Sequence, residues 1–178
     1  MLAGVFALGV GFAADRDGVP GALIAAFSYD ERVLLERHVE GRELAVGVLD
    51  GEPLPAVEVR PREEDRYDYE ARYEIGRTDF VCPAELSGDD AAGVREAAVR
   101  TWETLRCEGF ARVDLILGAR SEAGLAGPQV IEAEAIPGLT DTSLYPMAAE
   151  AAGITFEELC GRVVELALRR SQSAGAVA

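Results

Sequence analysis

Four charged residues at alternate positions stand out from the rest of the chain. Arg112 and Asp114 lie within the apolar run ARVDLIL (111–117), and Glu132 and Glu134 lie within QVIEAEA (129–135). Side chains two apart on a β-strand share a face. Neighbouring strands lie about 4.8 Å apart, so if these two pair, three carboxylates and one guanidinium meet on one surface. Carboxylate oxygens are hard ligands that suit Mg2+ or Mn2+. The single His38 and the three cysteines, Cys82, Cys107 and Cys160, offer no zinc set. An arginine beside such a metal adds a fixed charge for an oxyanion or a transferring phosphoryl group. The same alternation also describes a solvated polar face on an edge hairpin.

The carboxylates run directly into Ile136-Pro137-Gly138-Leu139-Thr140-Asp141-Thr142-Ser143-Leu144, a turn that enters a helix. Main-chain N–H groups and hydroxyls at a helix start can grip an anion, such as a small carboxylate substrate. A proline turn with Ser143 as N-cap accounts for the same residues.

The elements that must position these groups follow from periodicity. Pro20 near its start and Leu23, Ile24 and Phe27 on one face predict a helix over 19–28. A strand is predicted over 32–39. Residues 43–60 predict a hairpin around Asp50-Gly51, because that pair supplies the positive φ of a type I′ turn. The charge-dense segment 60–80, with Tyr67, Tyr69 and Tyr73, predicts an exposed loop able to close over a site. Ser87 caps a predicted helix to Arg106, with Val94, Ala98, Trp102 and Leu105 on its apolar face and Trp102 in the core. The strands at 111–117 and 129–135 pair as a second hairpin. Helices over 145–152 and 156–170 follow, the second with a capping box of Thr155 and Glu158 and with Arg169 and Arg170 at its negative end. Residues 171–178 read as a frayed tail. The fold class is α+β, a largely antiparallel sheet flanked by helices, in one domain over 1–178.

Composition narrows the function. Seventeen basic against thirty-two acidic residues leave a net charge of −15, and 49% hydrophobic content describes a folded chain. Nucleic acid and anionic membranes are not expected partners, since both need clustered basic residues. All seventeen basic residues are Arg, which removes Schiff-base lysines and a phosphate-loop lysine. Three cysteines in apolar or helical contexts fit buried thiols in a reducing compartment, hence the cytoplasm. The apolar start, residues 1–14, has no basic residue before it for a signal peptide and is short for a membrane span; it reads as a start inside a domain.

Taken together, VLLERHVEGREL (33–44), YDYEARY (67–73), VCPAEL (81–86), WETLRCEGFARVDLIL (102–117) and IEAEAIPGLTDTSLYPMAAEAAGITFEEL (131–159) resemble the carboxyl-terminal half of the D-alanine:D-alanine ligases, which are ATP-grasp enzymes. The resemblance covers about residues 8–170. It implies an ATP-grasp carboxyl-terminal lobe. In this family ATP phosphorylates the carboxylate of one D-alanine, and the amine of a second attacks the acyl phosphate, giving a dipeptide for peptidoglycan. Glu36, Arg37 and Val39 then correspond to the strand that holds adenine, and Glu43 to the carboxylate for the ribose hydroxyls. Arg72 and Tyr73 fall on the loop that closes over the site, Arg72 in place of a lysine. Asp114, Glu132 and Glu134 correspond to the Mg2+ ligands. Arg112 and the Gly138 N–H correspond to groups around the tetrahedral intermediate, and Ser143 and Leu144 to the grip on the second substrate's carboxylate.

Departures from the family pattern accompany these matches. The family is roughly twice this length, and its amino-terminal domain and nucleotide lysines have no counterpart here. Phe6 and Ala7 stand where a phosphate loop has serines, which removes hydroxyl donors from that loop. Glu134 and Ile136 replace asparagines, and Thr142 replaces a histidine. The resemblance therefore implies a ligase that is weak as an isolated chain, because positioning and electrostatics supply most of phosphoryl-transfer catalysis. It also leaves open a degenerate fragment acting as a binding or interaction module, and a ligase for another D-amino acid. A homodimer or a separately supplied amino-terminal half are the expected protein partners.

Overall fold

A computed structural model describes residues 9–61, 78–118 and 127–175. The elements are α1 (Val19–Ala26), β1 (Gly41–Leu49), β2 (Glu52–Pro53), β3 (Val57–Pro61), β4 (Thr78–Val81), α2 (Gly88–Leu105), β5 (Phe110–Gly118), β6 (Gly127–Glu134), α3 (Leu144–Ala151) and α4 (Phe156–Gly175). Among the described residues the strands form one antiparallel sheet, in the order β4-β3-β1-β5-β6, with β2 paired to β1.

The first hairpin turns where Asp-Gly predicts. Asp50 has φ of 53° and Gly51 of 87°, the pair of positive angles that a type I′ turn requires. Its return strand is broken, however, into β2 and β3. Pro53 and Pro55 have no N–H to give to a ladder, and between them Leu54 donates to the Gly47 carbonyl at 2.8 Å. Of the segment 60–80 expected as a loop, Arg60 and Pro61 belong to β3, residues from Thr78 onward belong to β4 (Thr78–Val81), which pairs with it, and 62–77 lie outside the described residues.

The strand expected over 32–39 does not form. No described residue offers it a ladder, and a single extended segment leaves its backbone groups to solvent. The helices are close to expectation. Ser87 caps α2 by accepting from the Asp90 N–H at 3.2 Å. Thr155 and Glu158 exchange the two bonds of a capping box, 3.0 and 3.2 Å. Leu105 is 60% exposed and does not join the core face. Residues 171–175, expected as tail, continue α4. Arg169 and Arg170 therefore sit inside that helix, paired with Asp50 and Glu108.

Alternation along the strands sorts the core into two layers. Leu44, Val46 and Val48 of β1 and Ala111, Val113, Leu115 and Leu117 of β5 pack under α2 with Val94, Ala98 and Trp102. Ala45, Val57 and Val59 lie on the other face, under Leu144, Tyr145, Ala148 and Ala149 of α3 and Leu159 of α4. Arg112 and Asp114 share this second face, by parity with Phe110.

Candidate functional site

β5 runs through the sheet between β1 and β6, so its polar residues cannot be a solvated edge. Asp114 is 1% exposed and Arg112 9%. The ladder sets Arg112 opposite Glu134 and Asp114 opposite Glu132, making a two-by-two block of ionisable side chains on the α3 face. A bulge follows at once. Leu115 pairs with Val130, leaving Ile131 as the extra residue of β6. Such bulges twist a strand locally and re-aim side chains beside sites.

The block is organised around the guanidinium. Arg112 donates from Nε to Asp114 Oδ1 at 2.8 Å and from Nη2 to Asp114 Oδ2 at 2.9 Å, and Nη2 lies 2.7 Å from Glu134 Oε2. Burial pushes the Asp114 carboxyl above its ordinary value; the Arg112 hydrogen bonds oppose this and the Glu134 charge adds to it. Burial raises Glu132 also, and the neighbouring Asp114 charge raises it further. Burial works against a charged Arg112, but the Asp114 hydrogen bonds and the surrounding carboxylates hold its pKa above the usual value. Three carboxylates against one cation leave two negative charges in surplus.

That surplus is the chemistry a divalent cation would satisfy, and the donors are the hard oxygens that Mg2+ and Mn2+ prefer. Asp114, Glu132 and Glu134 are therefore neighbours as expected, but Asp114 and Glu134 are drawn onto Arg112 and Glu132 meets Asp114. Among the described residues no three acidic, His or Cys side chains already surround a metal-sized point. Holding an ion here requires Asp114 and Glu134 to turn from the guanidinium toward it.

The turn beyond β6 is built around Ser143. Its Oγ accepts from the Thr140 N–H at 3.1 Å and lies 2.8 Å from Thr140 Oγ1, while the Ser143 N–H donates to the Thr140 carbonyl at 2.9 Å. A Cβ at Gly138 would lie 2.8 Å from the same Oγ and would crowd the hydroxyl that closes the turn. Ser143 occupies the N-cap position of α3 in extended geometry, but its hydroxyl makes no cap bond to the helix. The first-turn amides of α3 are thus without a side-chain cap. The Leu144 side chain is buried in the core, which leaves its main-chain N–H as the group it can offer a ligand.

The expected nucleotide residues divide. Glu43 is on β1, on the same face as Ala45, and Ala45 is the ladder partner of Asp114; Glu43 therefore borders the charged block. Glu36 and Arg37 are exposed and Val39 half-buried on the unpaired 32–40 segment, where His38 meets Phe12 edge-on at 5.3 Å. Arg72 and Tyr73 lie outside the described residues, as do Phe6 and Ala7. Two features were not singled out from sequence. Tyr145 is fully buried, its hydroxyl donating to the Val48 carbonyl at 3.0 Å. Glu58, also buried, is held by Arg42 through two bonds of 2.7 Å and by Arg60 at 2.7 Å. The Glu58-Val59-Arg60 alternation puts an acid and an arginine on one face, but nothing local marks the burial that Arg42 completes.

Comparison with known proteins gives these features a family. A profile described as the D-ala D-ala ligase C-terminus matches residues 6–165. The D-alanine–D-alanine ligase of Methylacidiphilum infernorum (isolate V4) is 39% identical over 168 residues, covering 94% of this chain and 54% of that protein. That of Synechococcus sp. (strain JA-3-3Ab) is 40% identical over 164 residues, covering 92% and 49%. Among solved structures, the Bacillus anthracis D-alanine–D-alanine ligase complexed with ATP superposes with a TM-score of 0.75 at 30% identity, over 92% of this chain and 52% of that one. The Coxiella burnetii ligase shares the fold, with a TM-score of 0.75 at 24% identity. The chain spans about half the length of the relatives it matches. With the antiparallel sheet, the profile match and these relatives in agreement, the chain belongs to the D-alanine–D-alanine ligase family and corresponds to its carboxyl-terminal, ATP-grasp part.

Proposed function

We propose that this chain provides the ATP-, metal- and second-substrate-binding half of a D-alanine:D-alanine ligase, joining carboxylate to amine through an acyl phosphate in the cytoplasm for peptidoglycan synthesis. The observation that carries the reading is the Arg112, Asp114, Glu132 and Glu134 block, placed beside Glu43 and leading directly into the Gly138–Ser143 turn. Asp114, Glu132 and Glu134 would hold Mg2+ or Mn2+, which when bound offsets charge on the nucleotide phosphates. Glu43 accepts hydrogen bonds from the ribose hydroxyls, and Glu36, Arg37 and Val39 line the adenine. Arg72 and Tyr73 close over the phosphates. Arg112, released in part by its carboxylate partners, presents its guanidinium to the oxyanion, aided by the Gly138 N–H. Ser143 and the Leu144 N–H hold the carboxylate of the incoming D-alanine or related D-amino acid.

A chain with no lysine and half the length of its relatives is expected to bind nucleotide better than it turns over. D-alanine-dependent ADP release should be near background for the isolated chain, while an imido analogue of ATP should bind and should require Mg2+. A chain that binds no nucleotide with or without the metal would remove the ligase reading.

One observation favours a second reading, a non-catalytic interaction module. Ile24, Phe27, Tyr29, Leu34 and Leu35 of the 9–40 region are 54–80% exposed, and apolar patches of this kind mark contact surfaces. Both a homodimer and a separate amino-terminal half would cover them. Sedimentation showing a monomer at high concentration would count against self-association. No helix of the described residues is long and apolar enough to cross a membrane.

A further inference from the structure

Resting on the ligase reading, we propose that Tyr145 is a positioning residue, which fixes the Gly138–Ser143 turn and the start of α3 against the strand pair carrying Arg112. The Tyr145 side chain is buried on β1. Its hydroxyl donates to the Val48 carbonyl at 3.0 Å, and its ring meets Phe110 edge-on, with centroids 5.6 Å apart and planes at 67°. Beneath the ring lies Gly47. A Cβ there would stand 2.9 Å from Tyr145 Cε2, 3.0 Å from Cδ2 and 2.9 Å from Leu54 Cδ1.

Each of these contacts touches the site's own framework. Gly47 is the ladder partner of Arg112, and Phe110 precedes Arg112 by two residues on the same face. Tyr145 follows Ser143 by two residues, in the first turn of α3. The phenol is rigid and fills a space only glycine leaves open, so it sets the height of the α3 start above the strand. Leu54 and the Tyr145 ring are both buried, so a new methyl group at residue 47 would press on both, and displacement of the ring would carry the turn with it. The Thr140–Ser143 bonds close the turn on itself, and the Ser143 carbonyl accepts from the Met147 N–H at 3.3 Å, but the Ser143 hydroxyl makes no cap bond to α3, so Tyr145 adds the anchor to the sheet.

The test uses the full chain and three variants, Tyr145→Phe, Gly47→Ala and Tyr145→Leu, with Gly47→Ala also made in the Tyr145→Leu background. Calorimetry reads D-alanyl-D-alanine as the probe of the turn, and Mg2+ with the imido ATP analogue as the control. Tyr145→Phe should weaken dipeptide binding on the order of five-fold, the value of one neutral hydrogen bond. Gly47→Ala should weaken it on the order of ten-fold, and by clearly less once residue 145 is Leu, where only the Leu54 contact remains. Nucleotide binding should not move. Amide exchange reads the placement without a ligand. The Thr140 N–H, held by Ser143 Oγ, should exchange faster in Tyr145→Phe and Gly47→Ala, whereas the Glu158 N–H in the α4 capping box should not. Equal acceleration of both amides, an unchanged Thr140 amide, or a Gly47→Ala effect of the same size in both backgrounds would overturn the proposal. Wild-type chain that binds the nucleotide analogue but no dipeptide would defeat the assignment of Ser143 and Leu144 as the second-substrate grip, not the role of Tyr145, which exchange would still judge.

Discussion

The two faces of the sheet each bury an acid against arginine, and they do so with opposite charge balance. Under α2, Glu58 receives Arg42 and Arg60, and the hydrogen bonds from Arg42 first, then Arg60, outweigh burial and hold its pKa down at about 2. Under α3, a single Arg112 faces Asp114, Glu132 and Glu134, and burial leaves the first two carboxyls above their ordinary values. With Glu85 3.6 Å from Arg60 as the second acid, the α2 cluster is balanced and satisfied as it stands. An unbalanced one costs stability until a cation joins it, which is the usual condition of a binding site. The same strand alternation therefore yields a structural cluster on one face and a ligand-demanding one on the other.

Substitutions should separate the faces, and the largest effect belongs to the α2 core. Trp102, 8% exposed in that layer, should cost about 3–5 kcal/mol of unfolding free energy as Trp102→Ala, measured by denaturant titration, with nucleotide binding retained where the variant is folded. Next, Glu58→Gln should cost about 2 kcal/mol near neutral pH, allowing for solvent access to its arginines. The cost should vanish in acid. Because the folded pKa of Glu58 is depressed, its stabilisation is present above the unfolded carboxylate value and is lost as pH falls through about 2.

The α3 face should show the opposite slope. Raised carboxyls in the native state bind more protons than in the unfolded chain, so in metal-free buffer the contribution of Asp114 and Glu132 falls as pH rises above their unfolded values. Adding Mg2+ should recover it, read as a rise in Tm that grows with pH. The smallest stability effect belongs to Glu132→Gln, which should lie within about 0.5 kcal/mol of wild type or on the stabilising side, since it removes surplus charge. A loss above about 2 kcal/mol would make the α3 cluster as structural as its counterpart.

Much of this was legible from period-two alternation. Arg112, Asp114, Glu132 and Glu134 share a face because they alternate on paired strands, and the ladder brings them together as expected. Asp50-Gly51 and the Thr155/Glu158 box were legible because each is a local rule of backbone geometry. What sequence pattern could not reveal depends on distant partners. The 32–39 segment has strand composition and no described neighbour to pair with, and β4 is four residues that gain their structure from β3. Glu58 looks like any alternating surface charge until Arg42, sixteen residues away, closes on it. Tyr145 reads as one apolar residue of a helix, and its fit over Gly47 is ninety-eight residues away in sequence.

The two clusters differ in kind, and calorimetric titration of Mg2+ with the imido ATP analogue into Glu132→Gln and Glu58→Gln separates them most sharply. Glu132→Gln should weaken binding on the order of ten-fold or more, as loss of a direct ligand does, while Glu58→Gln should bind as wild type does. Equal losses in both variants, or full binding by Glu132→Gln, would contradict the assignment of the α3 face as the metal and nucleotide site.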